Sequence, residues 1–340
     1  MNHRGKLPSF KISQHLVILM PTLNRSIIIT GGTSGLGYHC AFNVARQCPE
    51  YQVVLASRTD PHSAAASINK ILGQSNVSFL LLDLSSLAEV RLFVKEWEAR
   101  SYPLIQVLLL NAGLQFPDGV RYTSDGIENT FAVNHVGHAL LFSLLRPHFA
   151  DKARVVITSS GTHDPAQKTG LPDAKYNTAE ELAHPTPETA KNPGRQRYAT
   201  SKLVNVMWAY ALHRRFACVQ GKSWTVTAFD PGLMPGTGLA REAGATLRFL
   251  WIHILPRMLP LLRRLVSHNV NTPEESGAAL AWLAVSPDVE GTSGVYYEGR
   301  RQIKSGEETY DEKKQEELWQ WTVKNIATNE DEACSFDFVN

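Results

Sequence analysis

Three groups of residues in this chain have types and spacings that chemistry can use. The first is "YATSK", Tyr198 to Lys202. On a helix, residues four apart share a face, so this phenol and this ammonium are neighbours. A cation beside a phenol favours the phenolate and draws its pKa from about 10 toward working pH. The pair is then a usable general acid and base. Such a pair is also common on helix surfaces. What sets this one apart is an apolar strand ending in Ser159 and Ser160, whose hydroxyls are able to meet a substrate oxygen.

The second group is "TGGTSGLG", Thr30 to Gly37, directly after a β-branched run and at the opening of a helical pattern. Gly31 permits a tight turn, and Gly35 and Gly37 let backbone and helix approach a pyrophosphate closely. Thr33, Ser34 and Leu36 belong to the same turn. The free N–H groups of the helix start then face the phosphate. A glycine-rich turn without a ligand is the bland alternative, and the strand before it argues for the functional reading.

The third group is "ASRTD", residues 56–60, at the end of the next strand. A carboxylate there would bond a ribose 2′-hydroxyl. Ser57 and Arg58 stand there instead, and a guanidinium suits a 2′-phosphate. Asp60 reads as a helix N-cap with Pro61 at the first helical position, which turns its carboxylate away from a ribose. His135, His138 and His163 fall near these groups in sequence and read as packing or hydrogen-bonding histidines. No metal-ligand spacing occurs, so no metal is expected.

Positioning these groups requires strands that end together. The runs "SIIIT" (26–30), "QVVLAS" (52–57), "VSFLLLD" (77–83), "QVLLLN" (106–111), "RVVITS" (154–159) and "WTVTAF" (224–229) are nearly continuous apolar segments. That pattern belongs to parallel strands covered on both faces. Helix-length stretches such as 34–48 and 86–100 alternate with them, so the order implies an α/β, doubly wound sheet. Residues 161–197 hold five prolines and few large apolar side chains, and read as an excursion outside the core. Residues 244–270 are apolar and studded with arginines, and Pro256 and Pro260 divide them into short helices. A last helix is expected over 310–327, followed by a frayed acidic tail.

Taken together these motifs resemble the short-chain dehydrogenase/reductase superfamily. The matched pattern runs through Thr30, Gly31, Gly35 and Gly37, Asp83, "NAG" at 111–113, "NHVGH" at 134–138, Ser159–Ser160, Tyr198 with Lys202, and "PG" at Pro231–Gly232. The resemblance covers about residues 26–300 by the strand count this fold expects. It implies a Rossmann-type, three-layer single domain with a substrate lid. It also implies that Asp83 contacts an adenine, that Asn111, Gly113 and Pro231 line the cofactor cleft, and that Asn134 holds a water in a relay to Lys202. Lys202 would bind the nicotinamide ribose, Tyr198 would exchange the proton, and Ser160 would orient the reacting oxygen. Thr237 would reach the carboxamide, although the family threonine is displaced and Gly236 stands in its usual place.

Tyr198 follows Ser160 by 38 residues, a long interval for this superfamily. The arrangement is similar to the branch containing retinol dehydrogenases and light-dependent protochlorophyllide reductase. "HRRF" at 213–216 and "TGLARE" at 237–242 are similar to the latter, but Leu233 replaces the cysteine that follows its "PG". The expected organisation is a leader over 1–25, a Rossmann domain over 26–305 with an insertion at 161–197 and a lid at 233–270, and a C-terminal helix and tail over 306–340.

The reading is an NADP(H)-dependent oxidoreductase that moves a hydride to or from a carbonyl/alcohol carbon of an apolar small molecule. The alternatives are reduction of an activated C=C bond and a catalytically silent NADP(H)-binding scaffold or sensor. A net charge of +2 supplies no field for nucleic acid. The four cysteines are scattered, which suits a reducing, cytoplasmic compartment. The basic N-terminus and "LVILM" at 16–20 are too short for a membrane span. Peripheral membrane contact through 244–270 is a further expectation.

Overall fold

The computed structural model describes residues 22–238, 242 and 244–338; the 16–20 run and residues 239–241 of "TGLARE" lie outside the described residues. Eight strands form one sheet in the order β3-β2-β1-β4-β5-β6-β7-β8. They are β1 (Arg25–Thr30), β2 (Tyr51–Ser57), β3 (Val77–Leu81), β4 (Ile105–Leu110), β5 (Phe149–Thr158), β6 (Thr225–Asp230), β7 (Val295–Glu298) and β8 (Arg301–Ile303). The first seven are parallel, and β8 is an antiparallel edge on β7. The strand order reverses between β1 and β4, which opens a crevice at the carboxyl ends of those strands.

The continuous apolar runs are explained by burial on both faces. Ile28, Val54 and Leu108 point into one core layer, and Ile27, Ile29, Val53 and Leu55 into the other. Register holds the strand tips level, with Thr30 beside Ala56 and Ile29 beside Leu109. Residues just past those tips therefore meet along one edge. Helices flank the sheet on both sides. Gly35–Gln47 packs on Pro273–Val285 over one face, and Gly194–Phe216 crosses the other.

The helix Gly194–Phe216 carries Tyr198 and Lys202 and is buried around most of its circumference, from Arg197 to Leu212. Its start is fixed by close approach: a side chain on Gly194 would meet the Phe116 carbonyl. Arg197, next to Tyr198, donates to the Asn192 and Asp118 carbonyls and lies 3.4 Å from Glu128 in a buried ion pair.

Three expectations need correction. The tail is docked, not frayed. A short helix, Glu330–Cys334, follows Asn329, and Phe336 and Phe338 are buried beyond it. Phe338 stacks on Phe142, and the Glu332 carboxylate accepts from Arg91 Nε and Nη2, each at 2.7 Å. Two aromatic rings bury enough area to hold a charged tail. The 161–197 excursion contributes to the core through Tyr176, Ala179 and Ala183, and Glu180 accepts from the Trp321 indole on helix Glu312–Ile326. Finally, the helix after Asp60 is Ala64–Leu72, so Asp60 is not its N-cap and Pro61 is not its first residue. The Asp60 carboxylate nevertheless turns to that helix and accepts from the Ala64 N–H at 2.7 Å.

Candidate active site

A cavity of about 1060 Å³ runs along the carboxyl edge of the sheet. It is lined at one end by Gly31, Thr33, Ser34, Gly35, Leu36, Gly37, Arg58 and Asp83. Asn111, Gly113, Ser160, Tyr198 and Lys202 line its middle, and Pro231 and Thr237 one wall. Asn134 alone of the expected catalytic and cofactor-binding residues does not line it.

At the floor, Tyr198 is buried and close enough to Ser160 for the serine hydroxyl to pull its pKa down. Burial, and then the Asp230 carboxylate, outweigh that pull and push the phenol above its ordinary range. The lowering expected from Lys202 does not occur; the one lowering effect comes from Ser160. The Lys202 Nζ stands 5.6 Å from the Tyr198 ring centre and donates to the Thr158 carbonyl at 3.1 Å. Burial lowers its pKa to about 8, with Asp230 acting the other way. The two serines separate in space. The Ser159 hydroxyl donates to the Lys202 carbonyl at 2.7 Å, and Ser160 faces the cavity.

Asp230 is the residue that sequence reasoning missed. It ends β6 just before Pro231 and is 2% exposed. Its Oδ1 accepts from the Gly232 N–H at 2.8 Å and its Oδ2 from Asn269 at 3.0 Å. Burial raises its pKa to about 6, opposed by the Gly232 and Gly161 N–H groups and reinforced by the Glu298 charge. One carboxylate thus joins the Ser160 turn, the Pro231–Gly232 turn and the base of the lid. At Gly232, φ is +79° and a side chain would strike Asn269, so glycine is required. A lone carboxylate before a proline carries no signal in sequence; only the packed turns bring its partners together.

The histidines behave as packing groups. His163 Nε2 accepts from the Gly306 N–H at 2.9 Å, so Nδ1 carries the proton and donates to the Ser160 carbonyl at 2.7 Å. His135 bonds Thr322, and His138 bonds Thr30. Burial lowers the pKa of each to about 3, so both are neutral. Asn134 lies in a single π-helical turn, Ala132–Val136. Its amide donates to the Leu114 carbonyl and the Ser201 hydroxyl, and its Oδ1 accepts from the Leu114 N–H. Both side-chain hydrogens are committed within the protein. The side chain holds Leu114 in place, and with it Gly113. Asn111 latches β4 to β1 through Thr30 and accepts from Thr158. Asp83 accepts from the N–H and hydroxyl of Ser85. The Thr237 hydroxyl donates to the Met234 carbonyl at 2.9 Å.

Two family models match the chain: one described as short chain dehydrogenase over residues 25–170, and one described as AcuH dehydrogenase domain over 239–334. Polyprenol dehydrogenase of Homo sapiens is 32% identical across 89% of this chain and 85% of that protein. The chain belongs to the short-chain dehydrogenase/reductase superfamily. The chloroplastic protochlorophyllide reductase of Chlamydomonas reinhardtii is 29% identical across 89% of this chain and 78% of its own. A short chain dehydrogenase from Salmonella enterica serovar Typhi shares the fold at a TM-score of 0.56 and 20% identity, over 85% of this chain and 98% of that one.

Members of this superfamily are oxidoreductases that use a nicotinamide cofactor, and the residues present fit one. The helix Gly35–Gln47 has no side-chain cap at Ser34 and no acidic residue in its first turn, so its leading N–H groups suit an anion. A side chain added at Gly35 would extend into the cavity, with only Thr237 within 4 Å. At Gly113 it would stand 3.3 Å from the Lys202 Nζ. Bare backbone therefore faces the cavity both at the glycine turn and beside Lys202.

Proposed function

We propose that this protein is an NADP(H)-dependent oxidoreductase acting on a carbonyl/alcohol carbon of an apolar small molecule. The observation that carries the reading is the Ser160–Tyr198 contact with Lys202 one helical turn away, on the floor of a cavity that ends at an uncapped glycine turn. The bound nicotinamide would supply or accept the hydride. The chain's own part is proton transfer and orientation. A phenol held in its neutral form is a donor, and Tyr198 would deliver its proton to the carbonyl oxygen during reduction. Ser160 would fix that oxygen by hydrogen bonding. Lys202 would exchange its bond to Thr158 for the nicotinamide ribose.

NADP(H) is favoured over NAD(H) by the end of β2. Arg58 is exposed at the cavity edge, and the nearby Asp60 carboxylate is occupied by the Ala64 N–H. The substrate class is supported by Leu233, Met234, Leu247, Trp251 and Leu255 along the lid wall. A long isoprenoid alcohol or its carbonyl, of the kind named in the human relative, would suit that wall. Reduction of an activated C=C bond is the second reading, favoured by the relatives named protochlorophyllide reductase. It would use the same proton donor.

The test is an NADPH-oxidation screen over aldehydes, ketones and enones, run with wild type and Tyr198→Phe. The variant should bind NADPH normally and lose about two to four decades of rate. A Phe variant as fast as wild type on an authentic substrate would remove Tyr198 from this role. Tight NADPH binding with no turnover of any substrate would favour the scaffold or sensor.

A further inference from the structure

The lid has an apolar outer face as well as an apolar inner one. Nine of the fifteen exposed large hydrophobic side chains among the described residues lie between Leu247 and Val266. Phe249, Leu265 and Val266 are 57%, 70% and 60% exposed. The helices Ala245–Phe249 and Leu259–Leu265, and the turns between them, contain no buried residue. A monomer in water seldom leaves so continuous a patch uncovered. The segment is also one layer thick, because Leu247, Trp251, Leu255 and Val266 line the cavity from the same turns.

Its charge is of one sign. No Asp or Glu occurs from 243 to 273, whereas arginines stand at 248, 257, 263 and 264. Arg263 is tied to the Val270 carbonyl and Glu275. Arg248 and Arg264 have no ion-pair partner among the described residues. Two copies of this face would set arginines against arginines, so a second copy of the chain is a poor occupant. An anionic lipid surface satisfies both the rings and the cations. No described helix is long and apolar enough to cross a membrane, which leaves an in-plane seat.

We propose that residues 245–266 dock on an anionic bilayer surface and open the cavity toward it. The apolar side chains enter the acyl boundary, Arg248 and Arg264 stay at the headgroups, and an apolar substrate passes directly from lipid to the cavity. Only that delivery step rests on the substrate class proposed above; docking does not.

The experiment is flotation of the full chain with phosphatidylcholine vesicles, alone or containing about a third phosphatidylserine, at low salt and at about 0.5 M salt. Wild type should float with the anionic vesicles and lose most of that binding on neutral vesicles or at high salt. Arg248→Ala and Arg264→Ala should each weaken partitioning about fivefold. Phe249→Gln and Leu265→Gln should each weaken it about tenfold. Neither lines the cavity, so both should keep wild-type turnover of a water-soluble carbonyl. Brominated lipid should quench fluorescence in wild type and not in Trp251→Phe, which keeps the test valid if a surface variant folds poorly. Wild type left in the soluble fraction, variants that float like wild type, quenching unaffected by Trp251→Phe, or a patch that instead drives self-association would each overturn the proposal. Flotation needs no turnover, so its failure is distinct from failure of the oxidoreductase reading.

Discussion

Replacing Asp230 by Asn should stabilise the protein increasingly as pH rises. Burial raises this carboxyl from 3.8 to about 6. A raised carboxyl means that the folded state holds the proton longer than the unfolded chain does. Stability contributed by that proton is complete below about 3.8, falls as pH rises toward about 6, and stays lost above it. The difference is about two pKa units, or about 3 kcal/mol at 1.36 kcal/mol each. Asn does not titrate, so the variant escapes this loss. It keeps an acceptor for the Gly232 N–H but turns an N–H toward Asn269, at a pH-independent cost of about 1 kcal/mol. Urea unfolding of both proteins at a series of pH values gives the comparison. The variant-minus-wild-type stability should climb by about 1.5 kcal/mol between pH 5 and 8. Kinetics give a second readout. The Asp230 charge raises the pKa of both Tyr198 and Lys202, so the basic limb of the rate profile should move to lower pH in the variant. A stability difference that is flat with pH, together with an unmoved basic limb, would refute the burial argument for Asp230.

Arg58→Ala should raise the dissociation constant for NADPH by about one to two decades and leave NADH nearly unchanged, by loss of one charge-assisted contact; titration of both dinucleotides against both proteins checks it, and equal weakening would remove Arg58 from that role. Phe338→Ala should cost about 3 kcal/mol by thermal or chemical unfolding, because the ring is buried against Phe142 and under Arg146. A tail that is frayed would give no measurable loss. The Arg91 bonds hold Glu332 down at about 2, so that contact stabilises the fold above about pH 4.5 and is lost as pH falls toward 2.

How much of this was legible in sequence depends on what each residue rests on. Parallel strands buried on both faces announce themselves as apolar runs, and the residues that follow them must meet along one edge. That is why Gly31, Asp83, Asn111, Ser160 and the Tyr198 helix could be placed together without coordinates. β7 and β8 gave no such signal. "VYYE" is short and partly polar, and "RQI" is an exposed antiparallel edge. Phe336 and Phe338 were hidden by the acidic residues around them, since charge density reads as solvation until a hydrophobic groove is known to be present. The helix after Asp60 starts three residues late because Ser63, at φ +50°, occupies the turn. Asp230 was invisible for a different reason. Its environment is assembled from Gly161, Gly232, Asn269 and Tyr296, four segments far apart in the chain.

That assembly also explains how the site tolerates buried charge. Near neutral pH the cavity floor holds Asp230 ionised, Lys202 protonated and Tyr198 neutral, following the order of their shifted pKa values. The Asp230 charge offsets that of Lys202 and helps keep its proton on in this low-dielectric floor. Above about 8 the lysine loses its proton and Asp230 is left uncompensated; below about 6 the carboxylate is neutral and Lys202 is left alone. Between those limits the phenol keeps its hydrogen, raised by the same carboxylate that balances the ammonium. Asp230 thus acts on both groups at once: its charge keeps the Lys202 proton on and keeps the Tyr198 phenol neutral.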